Sequence, residues 1–167
     1  GYPNGFTMDV AQMANKPITQ SVNEVVQAYL AQIGVTVNIK QYDEATYYAV
    51  RGEGDLPAYF NEWSADFNDP DNFLYTFFSH KNSVPRSSNY ENEDVMDKLD
   101  QARNMSDQEA RIALYHEIEQ KIVNEDAAVL PILQKNHLFC LSERVKGFKV
   151  AWNGWSDMSF YSVYLEN

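Results

Sequence analysis

The sequence is poor in several features that often reveal a function: it has one cysteine, few basic residues and no long apolar run. With Cys140 alone, no disulfide can form within the chain, and its apolar neighbours favour inert packing over a nucleophile. No apolar run approaches the ~20 residues that span a bilayer. Because 13 basic residues face 24 acidic ones, the net charge of −11 argues against nucleic acid or an anionic membrane as a partner.

Motifs of several enzyme classes are also missing from the sequence. There is no Gly-x-Ser-x-Gly elbow, no P-loop and no Gly-x-Gly-x-x-Gly fingerprint. The run that begins at His116 has Gln120 where a zinc protease needs its second histidine. We therefore predict no metal and no cofactor, while a pair of carboxylates for glycosidic chemistry stays open.

The first part of the chain alternates between strand and helix patterns. Phe6–Val10 and Val35–Ile39 alternate as short strands do. Pro17 and Gly34 mark the ends of a helix between them. Its predicted buried face consists of apolar residues at helical spacing: Ile18, Val22, Val25, Val26, Tyr29, Leu30 and Ile33. This order predicts half of a β-α-β unit.

Four further helices are predicted: about Glu44–Arg51, a short one around Phe73–Phe78 that starts near Asp71, about Glu93–Arg103 and about Asp107–Glu125. Asp43 is expected to cap the first of them. Ser106 and Glu109 are expected to form a capping box for the last, whose buried stripe would be Ala110, Ala113, Leu114, Ile118 and Ile122. Strands are predicted at residues 56–64, within residues 127–141, and at residues 145–150 and 160–165. The order indicates an α/β fold with a mixed sheet flanked by helices.

An acidic loop follows the strand predicted at residues 56–64, and it has three interpretations. Asp66, Asn68 and Asp69 could simply cap the next helix. They could bind calcium, although position twelve of an EF-hand template would be Phe77 instead of glutamate. Alternatively, Asp66 beside Trp63 could bind an ammonium group through a charge-assisted hydrogen bond. The residue types do not choose among these three.

The chain resembles the dipeptide and oligopeptide solute-binding proteins of ABC importers. The similar residues keep their order along nearly the whole chain: Gly1–Phe6, Leu30–Val35, Trp63–Leu74, Ser88–Tyr90, Arg111–Tyr115, Gln120, Pro131 and Val145–Phe148. Each motif is weak alone, and the ordered combination is fairly specific. The resemblance implies a periplasmic-binding-protein-like fold of type II, in which two lobes close on an extended peptide and deliver it to a membrane permease.

The resemblance also implies roles for individual residues. Asp66 would bind the peptide α-ammonium and Trp63 would wall a side-chain pocket. The backbone of Ser64 and Ala65 would pair with the peptide main chain, which is recognition by β-augmentation. Glu62 departs from the family pattern, which usually has glycine there, so a second carboxylate could line the cleft. The loop Gln12 to Lys16 should also face the cleft.

The resemblance further implies that this chain is most of a C-terminal lobe without its N-terminal lobe. Residues 1–144 would be the substrate-binding lobe, and residues 145–167 would be a terminal segment that in relatives returns to the other lobe. Without that lobe, the segment must fold back, swap or expose Trp152, Trp155 and Phe160. The protein is expected outside the cytoplasm, in the periplasm or lipid-anchored at the cell surface, with a peptide ligand and ABC permease subunits as partners.

Other functions remain possible on the same residues. A receptor of this kind could bind an oligosaccharide, a nickel chelate or haem instead of a peptide. A hydrolase could use Asp66 and Glu62 as acid and base, although the sequence favours a binding module. A structural or signalling domain whose ligand site has decayed is a third hypothesis.

Overall fold

The computed structural model describes residues 1–54, 56–152 and 160–167, and these form two compact units. The first unit contains residues Gly1–Glu62 and Lys81–Glu91, and the second contains Trp63–His80 and Asn92–Asn167. Helices and short strands occur together in the chain, which confirms the predicted α/β class. None of the described helices is both long and apolar enough to cross a lipid bilayer.

The first unit contains the predicted half of a β-α-β unit. Strand β1 (Phe6–Met13) and strand β2 (Val35–Tyr42) pair in parallel, with helix α1 (Pro17–Ala31) between them in sequence. Their alternating side chains place Val10, Val35 and Val37 in a core that Leu30 of α1 helps to cover. Parallel pairing brings the carboxyl ends of both strands, at Met13 and Tyr42, to the same edge.

The buried face of α1 differs from the prediction. Thr19 and Asn23 are buried. Several residues that were predicted to be buried are instead exposed: Ile18, Val25, Tyr29 and Ile33. A sheet of two strands covers only part of a wide apolar helix surface. Asn23 can be buried because its Nδ2 donates a 2.6 Å hydrogen bond to Oε1 of Gln12.

The helix α2 (Glu44–Gly52) confirms the predicted cap. The carboxylate of Asp43 accepts hydrogen bonds from the backbone N–H and the hydroxyl of Thr46. These two bonds satisfy an orphan donor at the first turn and lower the pKa of Asp43. The helix therefore begins where the capping pattern in the sequence predicts.

The strand predicted at residues 56–64 is wrong in its extent. A single parallel bridge joins Tyr59 to Ala11. It is supported by hydrogen bonds from Ala11 N to Ala58 O and from Phe60 N to Ala11 O. Pro57 cannot donate to a ladder, and residues 61–65 belong to no helix, strand or turn.

The second unit contains three helices that match their predicted places closely. They are α3 (Asp71–Phe78), α4 (Glu93–Arg103) and α5 (Gln108–Gln120), and a π-helical turn, Lys121–Glu125, follows α5. Their side chains form a buried core of Val95, Met96, Leu99, Ala102, Tyr115, Ile118 and Ile122. Val95, Leu99 and Ala102 face inward from α4.

Helix α5 corrects two predictions. Its cap is Asp107, whose carboxylate accepts from the backbone N–H groups of Glu109 and Ala110, so the capping box of Ser106 with Glu109 is wrong. Ala110 and Ala113 are exposed, whereas Arg111 and Tyr115 are buried. The two long polar side chains can be buried because hydrogen bonds to other side chains and to the backbone carbonyl of Ala102 satisfy their polar atoms.

Residues 127–141, all of which the structure describes, form no strand. Every one of them except Phe139 is exposed. A strand requires a partner for its backbone groups, and no strand of the described residues pairs with this stretch. Cys140 is exposed as well, which contradicts the predicted packing.

The end of the chain contains one short antiparallel pair. Strand β3 (Val145–Lys146) pairs with strand β4 (Tyr164–Leu165), which confirms a small part of the predicted strands. Trp152 and Phe160 are exposed. Trp155 lies outside the described residues.

Candidate functional site

The amide side chain of Asn72 joins the two residues that sequence reasoning selected most strongly. Oδ1 of Asn72 accepts a 2.8 Å hydrogen bond from the indole N–H of Trp63 and a 3.1 Å hydrogen bond from the backbone N–H of Asp66. Asn72 is 2% exposed at the second position of α3. Both donors lack acceptor capacity, so the atom that faces them must be the amide oxygen.

Trp63 and Asp66 present different surfaces. The ring of Trp63 is half-buried and meets Phe77 edge to face, with ring centroids 5.3 Å apart at 89°, a favourable arrangement of the two π systems. The side chain of Asp66 is exposed. A fixed aromatic wall therefore lies three residues away from an accessible carboxylate.

Ser64 and Ala65 connect these two residues through backbone that belongs to no helix, strand or turn. Among the residues that the structure describes, neither their N–H nor their C=O groups have a hydrogen-bonding partner. Ser64 is exposed and Ala65 is half-buried. Backbone groups of this kind can pair with an extended chain by β-augmentation.

The remaining carboxylates of the loop are paired with arginine and tyrosine. Arg111 of α5 donates to both carboxylate oxygens of Asp69 at 2.7 and 2.8 Å, in the bidentate geometry that guanidinium favours. These bonds hold the pKa of Asp69 below its ordinary value. Asp71 is buried, accepts from the hydroxyl of Tyr115 at 3.2 Å and pairs with Arg103 at 3.1 Å.

This pairing anchors the loop to two helices. Arg111 also donates from Nε to the backbone carbonyl of Ala102, the penultimate residue of α4, at 2.9 Å. Burial raises the pKa of Tyr115, and the nearby Asp71 raises it further. Tyr115 therefore stays a neutral donor. The start of α3 is thereby held by α4 and α5.

The same pairing counts against the calcium interpretation of the loop. Calcium needs several oxygen ligands that converge on one point, and the carboxylates of Asp69 and Asp71 instead contact Arg111 and Arg103. The aspartates of the loop therefore have different roles. Asp69 caps the N–H of Asp71 at 2.9 Å and binds Arg111, while Asp66 extends to solvent.

One group of three side chains among the described residues has the ligand types for a metal ion. It consists of His80, Glu93 and Asp97, whose ligand atoms lie within 4.8 Å of one another. All three are exposed, and His80 already forms ion pairs with both carboxylates, at 3.1 Å with Asp97 and 3.8 Å with Glu93. The hydrogen bond to Asp97 and the charges of both carboxylates raise the pKa of His80. These ion pairs explain why the three side chains lie close together.

The first unit has its own cavity, of about 90 Å³, beside the carboxyl end of β1. Its lining includes Lys16 and Met13 from the predicted cleft loop, together with Glu62. The loop prediction fails for Gln12, which is 1% exposed and hydrogen-bonded to Asn23. Strand β1 extends to Met13, so the alternation of a strand turns Gln12 inward.

Sequence reasoning missed the polar residues that hold the site. Asn72, Arg111 and Tyr115 lie within segments that carry the family resemblance, and the sequence patterns assign none of them a role at the site. A spacing signal for the last two does exist. Arg111 and Tyr115 are four residues apart and therefore share one face of α5, which is the face that meets the acidic loop.

Comparisons with known proteins agree with the resemblance. The family model described as bacterial extracellular solute-binding proteins, family 5 Middle, matches residues 1–85. Heme-binding protein A of Haemophilus influenzae is 32% identical over 171 residues, which cover 99% of this chain and 31% of that protein. The probable D,D-dipeptide-binding periplasmic protein DdpA of Escherichia coli is 35% identical over 136 residues, which cover 80% of this chain and 26% of that protein.

A solved structure supports the same assignment. The ABC transporter-associated periplasmic binding protein DppA of Helicobacter pylori, in complex with peptide STSA, matches with a TM-score of 0.74 and 33% identity, over 100% of this chain and 32% of that one. The structural matches confirm the predicted α/β fold of type II periplasmic binding proteins. This chain spans less than a third of the length of these relatives. The family is one of solute-binding receptors and not of enzymes. Because its model matches residues 1–85, the chain belongs to the bacterial extracellular solute-binding proteins of family 5.

Proposed function

We propose that this chain forms the ammonium-binding side of a peptide receptor for an ABC importer. One observation carries the proposal: Trp63 and Asp66 are fixed on the same amide, and the backbone of Ser64 and Ala65 between them has no hydrogen-bonding partner in the part of the chain that the structure describes. The backbone would pair with an extended peptide and give affinity for many sequences. Asp66 would bind the α-ammonium, and Trp63 would wall a side-chain pocket.

The electrostatics of the loop support Asp66 as the ligand carboxylate. Asp69 and Asp71 have arginine partners, so their charges are compensated within the protein. Asp66 is exposed. A peptide ammonium would supply a counter-charge to Asp66 and form a charge-assisted hydrogen bond.

The proposal extends to the whole protein. Residues 1–144 would be most of a C-terminal lobe, and residues 145–167 would return to an N-terminal lobe of the same protein. The receptor would work outside the cytoplasm, in the periplasm or lipid-anchored at the cell surface, and would deliver its ligand to permease subunits. It would need no cofactor, and its exposed Trp152 and Phe160 would be covered by the other lobe.

The test is calorimetric binding of trialanine and of N-acetyl-trialanine to the full-length receptor. Asp66→Asn keeps the shape of the side chain and removes its charge. We expect it to weaken trialanine binding by about 10- to 100-fold, the range for losing a hydrogen bond to a charged group. It should barely change the weak binding of the acetylated peptide. The matched control is Asp100→Asn, at an exposed aspartate of α4, which should bind as the wild type does. Unchanged trialanine affinity in Asp66→Asn would remove Asp66 from the site.

A second candidate ligand is haem, because Heme-binding protein A is 32% identical over 99% of this chain. Titration of haem against the full-length receptor, followed by its visible absorption, tests this candidate. Saturation by haem without a response to peptides would replace the peptide proposal. Calorimetric titration of the full-length receptor with an oligosaccharide or with a nickel chelate would test those two solutes.

We also propose that the chain is a binding module with no catalytic residues. The competing hypothesis is a hydrolase that uses Asp66 and Glu62. Incubation of the full-length receptor with peptides and glycosides should leave both intact while peptide binds stoichiometrically. Turnover that is lost in both Asp66→Asn and Glu62→Gln would establish the hydrolase instead.

A further inference from the structure

We infer that Asn72 is the positioning residue that gives the site its selectivity for a free ammonium group. The inference rests on the proposed peptide-binding function and adds a residue to which that function assigns no role. Asn72 would not touch the ligand. It would act by holding the backbone of Asp66 and the indole of Trp63 in one fixed arrangement.

Asn72 is suited to this role because a single oxygen accepts from both ends of the segment Trp63–Asp66. The two hydrogen bonds measure 2.8 Å to Trp63 and 3.1 Å to Asp66. Between these ends, Ser64 and Ala65 have no hydrogen-bonding partner among the described residues, so they do not fix the segment themselves. At 2% exposure, the amide is shielded from competing water, which strengthens both bonds.

The position of Asn72 is itself fixed by its neighbours. It follows Asp71, which Tyr115 and Arg103 hold, and it lies three residues after Asp69, which Arg111 holds. Its backbone N–H also donates to the carbonyl of Asp69 at 3.1 Å. The amide oxygen therefore has a defined place before any ligand arrives, and the site needs little ordering when it binds.

The selectivity ratio provides a readout that a purely structural role would not change. It is the dissociation constant of N-acetyl-trialanine divided by that of trialanine, measured on the full-length receptor. A general loss of stability or of cleft shape weakens both peptides together and leaves the ratio constant. Displacement of Asp66 weakens only the peptide that has a free ammonium group, so it lowers the ratio.

Three variants separate the possibilities. Asn72→Leu has nearly the same size and no acceptor, and we expect the ratio to fall about tenfold, because two donors lose their partner. Asn72→Asp retains the acceptor at a helix start that favours negative charge, and its ratio should stay within about threefold of the wild type. The matched control is Asn68→Leu, at an exposed asparagine of the same loop, which should leave the ratio unchanged.

A measurement on the wild-type receptor covers the case in which Asn72→Leu does not fold. The indole N–H signal of Trp63, assigned by its loss in Trp63→Phe, should exchange slowly with solvent before any peptide is added. Rapid exchange in the free receptor would overturn the inference, because the arrangement would not be formed in advance.

An unchanged ratio in folded Asn72→Leu would overturn the inference alone. A wild-type receptor without preference for free ammonium would overturn the proposed function and this inference with it.

Discussion

The acidic loop at residues 66–72 and the apolar stretch at residues 127–141 have opposite outcomes in the same chain. The loop is rich in charge, yet Asp69 and Asp71 are fixed by contacts with Arg111, Tyr115 and Arg103. The stretch contains the residues of a strand, yet it forms none and is exposed almost throughout. The difference lies in the partners: the loop has them on α4 and α5, whereas no strand of the described residues pairs with the stretch.

The comparison shows which pattern decides local structure. Apolar composition gives a segment a reason to be buried, but backbone groups must also be satisfied before a strand can form. Polar residues order a loop well when every one of them is paired. An ordered polar loop is also the better base for a binding site, because its geometry is fixed before a ligand arrives.

The largest effect should come from removing the arginine that holds the loop. Arg111→Leu leaves Asp69 without its bidentate partner. The side chain of Arg111 is only 11% exposed. We expect urea unfolding to show a loss of about 3–5 kcal/mol, the range for breaking a buried pair. Arg103→Leu is the matched control, since its side chain is 47% exposed, and it should lose about 1 kcal/mol. Equal losses in both variants would mean that the bidentate pair does not anchor the loop.

A pH dependence should follow from the same pair. Because Arg111 lowers the pKa of Asp69 in the folded state, the folded state is stabilised by the charged carboxylate. That stabilisation is complete above the ordinary value of 3.8 and is lost as the pH falls from there through the lowered folded pKa. In thermal unfolding, Asp69→Asn should be less stable at neutral pH and should lose less stability on acidification. A parallel shift of the whole pH profile would contradict this assignment.

A smaller effect is expected from the cap of the helix that carries Arg111. Asp107 accepts from two backbone N–H groups, so Asp107→Ala should lose about 1 kcal/mol. Ser106→Ala, one residue earlier, should change stability by less than about 0.5 kcal/mol. Chemical denaturation of the two variants decides between the cap in the structure and the capping box that the sequence suggests. A greater loss in Ser106→Ala would favour the capping box.

The smallest effect is expected in the exposed stretch. Leu138 is 96% exposed, so Leu138→Ser should change the unfolding free energy of the 167-residue chain by less than about 0.5 kcal/mol. Leu99 is fully buried, and Leu99→Ala should lose about 2–5 kcal/mol. A comparable loss in Leu138→Ser would show that the stretch packs against this chain after all.

Much of the backbone was predictable because local signals were strong. The ends of α4 and the cap at Asp43 follow from capping chemistry. The parallel β1-α1-β2 unit follows from the two periodicities. The buried face of α1 was not predictable, since it depends on how much surface a two-stranded sheet covers. A polar pair such as Gln12 with Asn23 then takes the place of apolar residues.

The candidate site was predictable only in part. The acidic loop and the separation of Asp66 from its capping neighbours follow from residue types and from the family resemblance. The bonds of Asn72 to Trp63 and Asp66 bring together residues that are up to nine positions apart, and Arg111 lies 42 positions from Asp69. Such contacts depend on how the helices pack, and a single sequence contains no periodicity that reports them.

The most direct measurement of the central claim is a crystal structure of the full-length receptor with trialanine bound. We expect the peptide ammonium to lie within about 3 Å of the Asp66 carboxylate. We also expect the peptide main chain to pair with Ser64 and Ala65, and Asn72 to keep its hydrogen bonds to Trp63 and Asp66. An ammonium group bound elsewhere, with Asp66 left in solvent, would contradict the proposed role of Asp66.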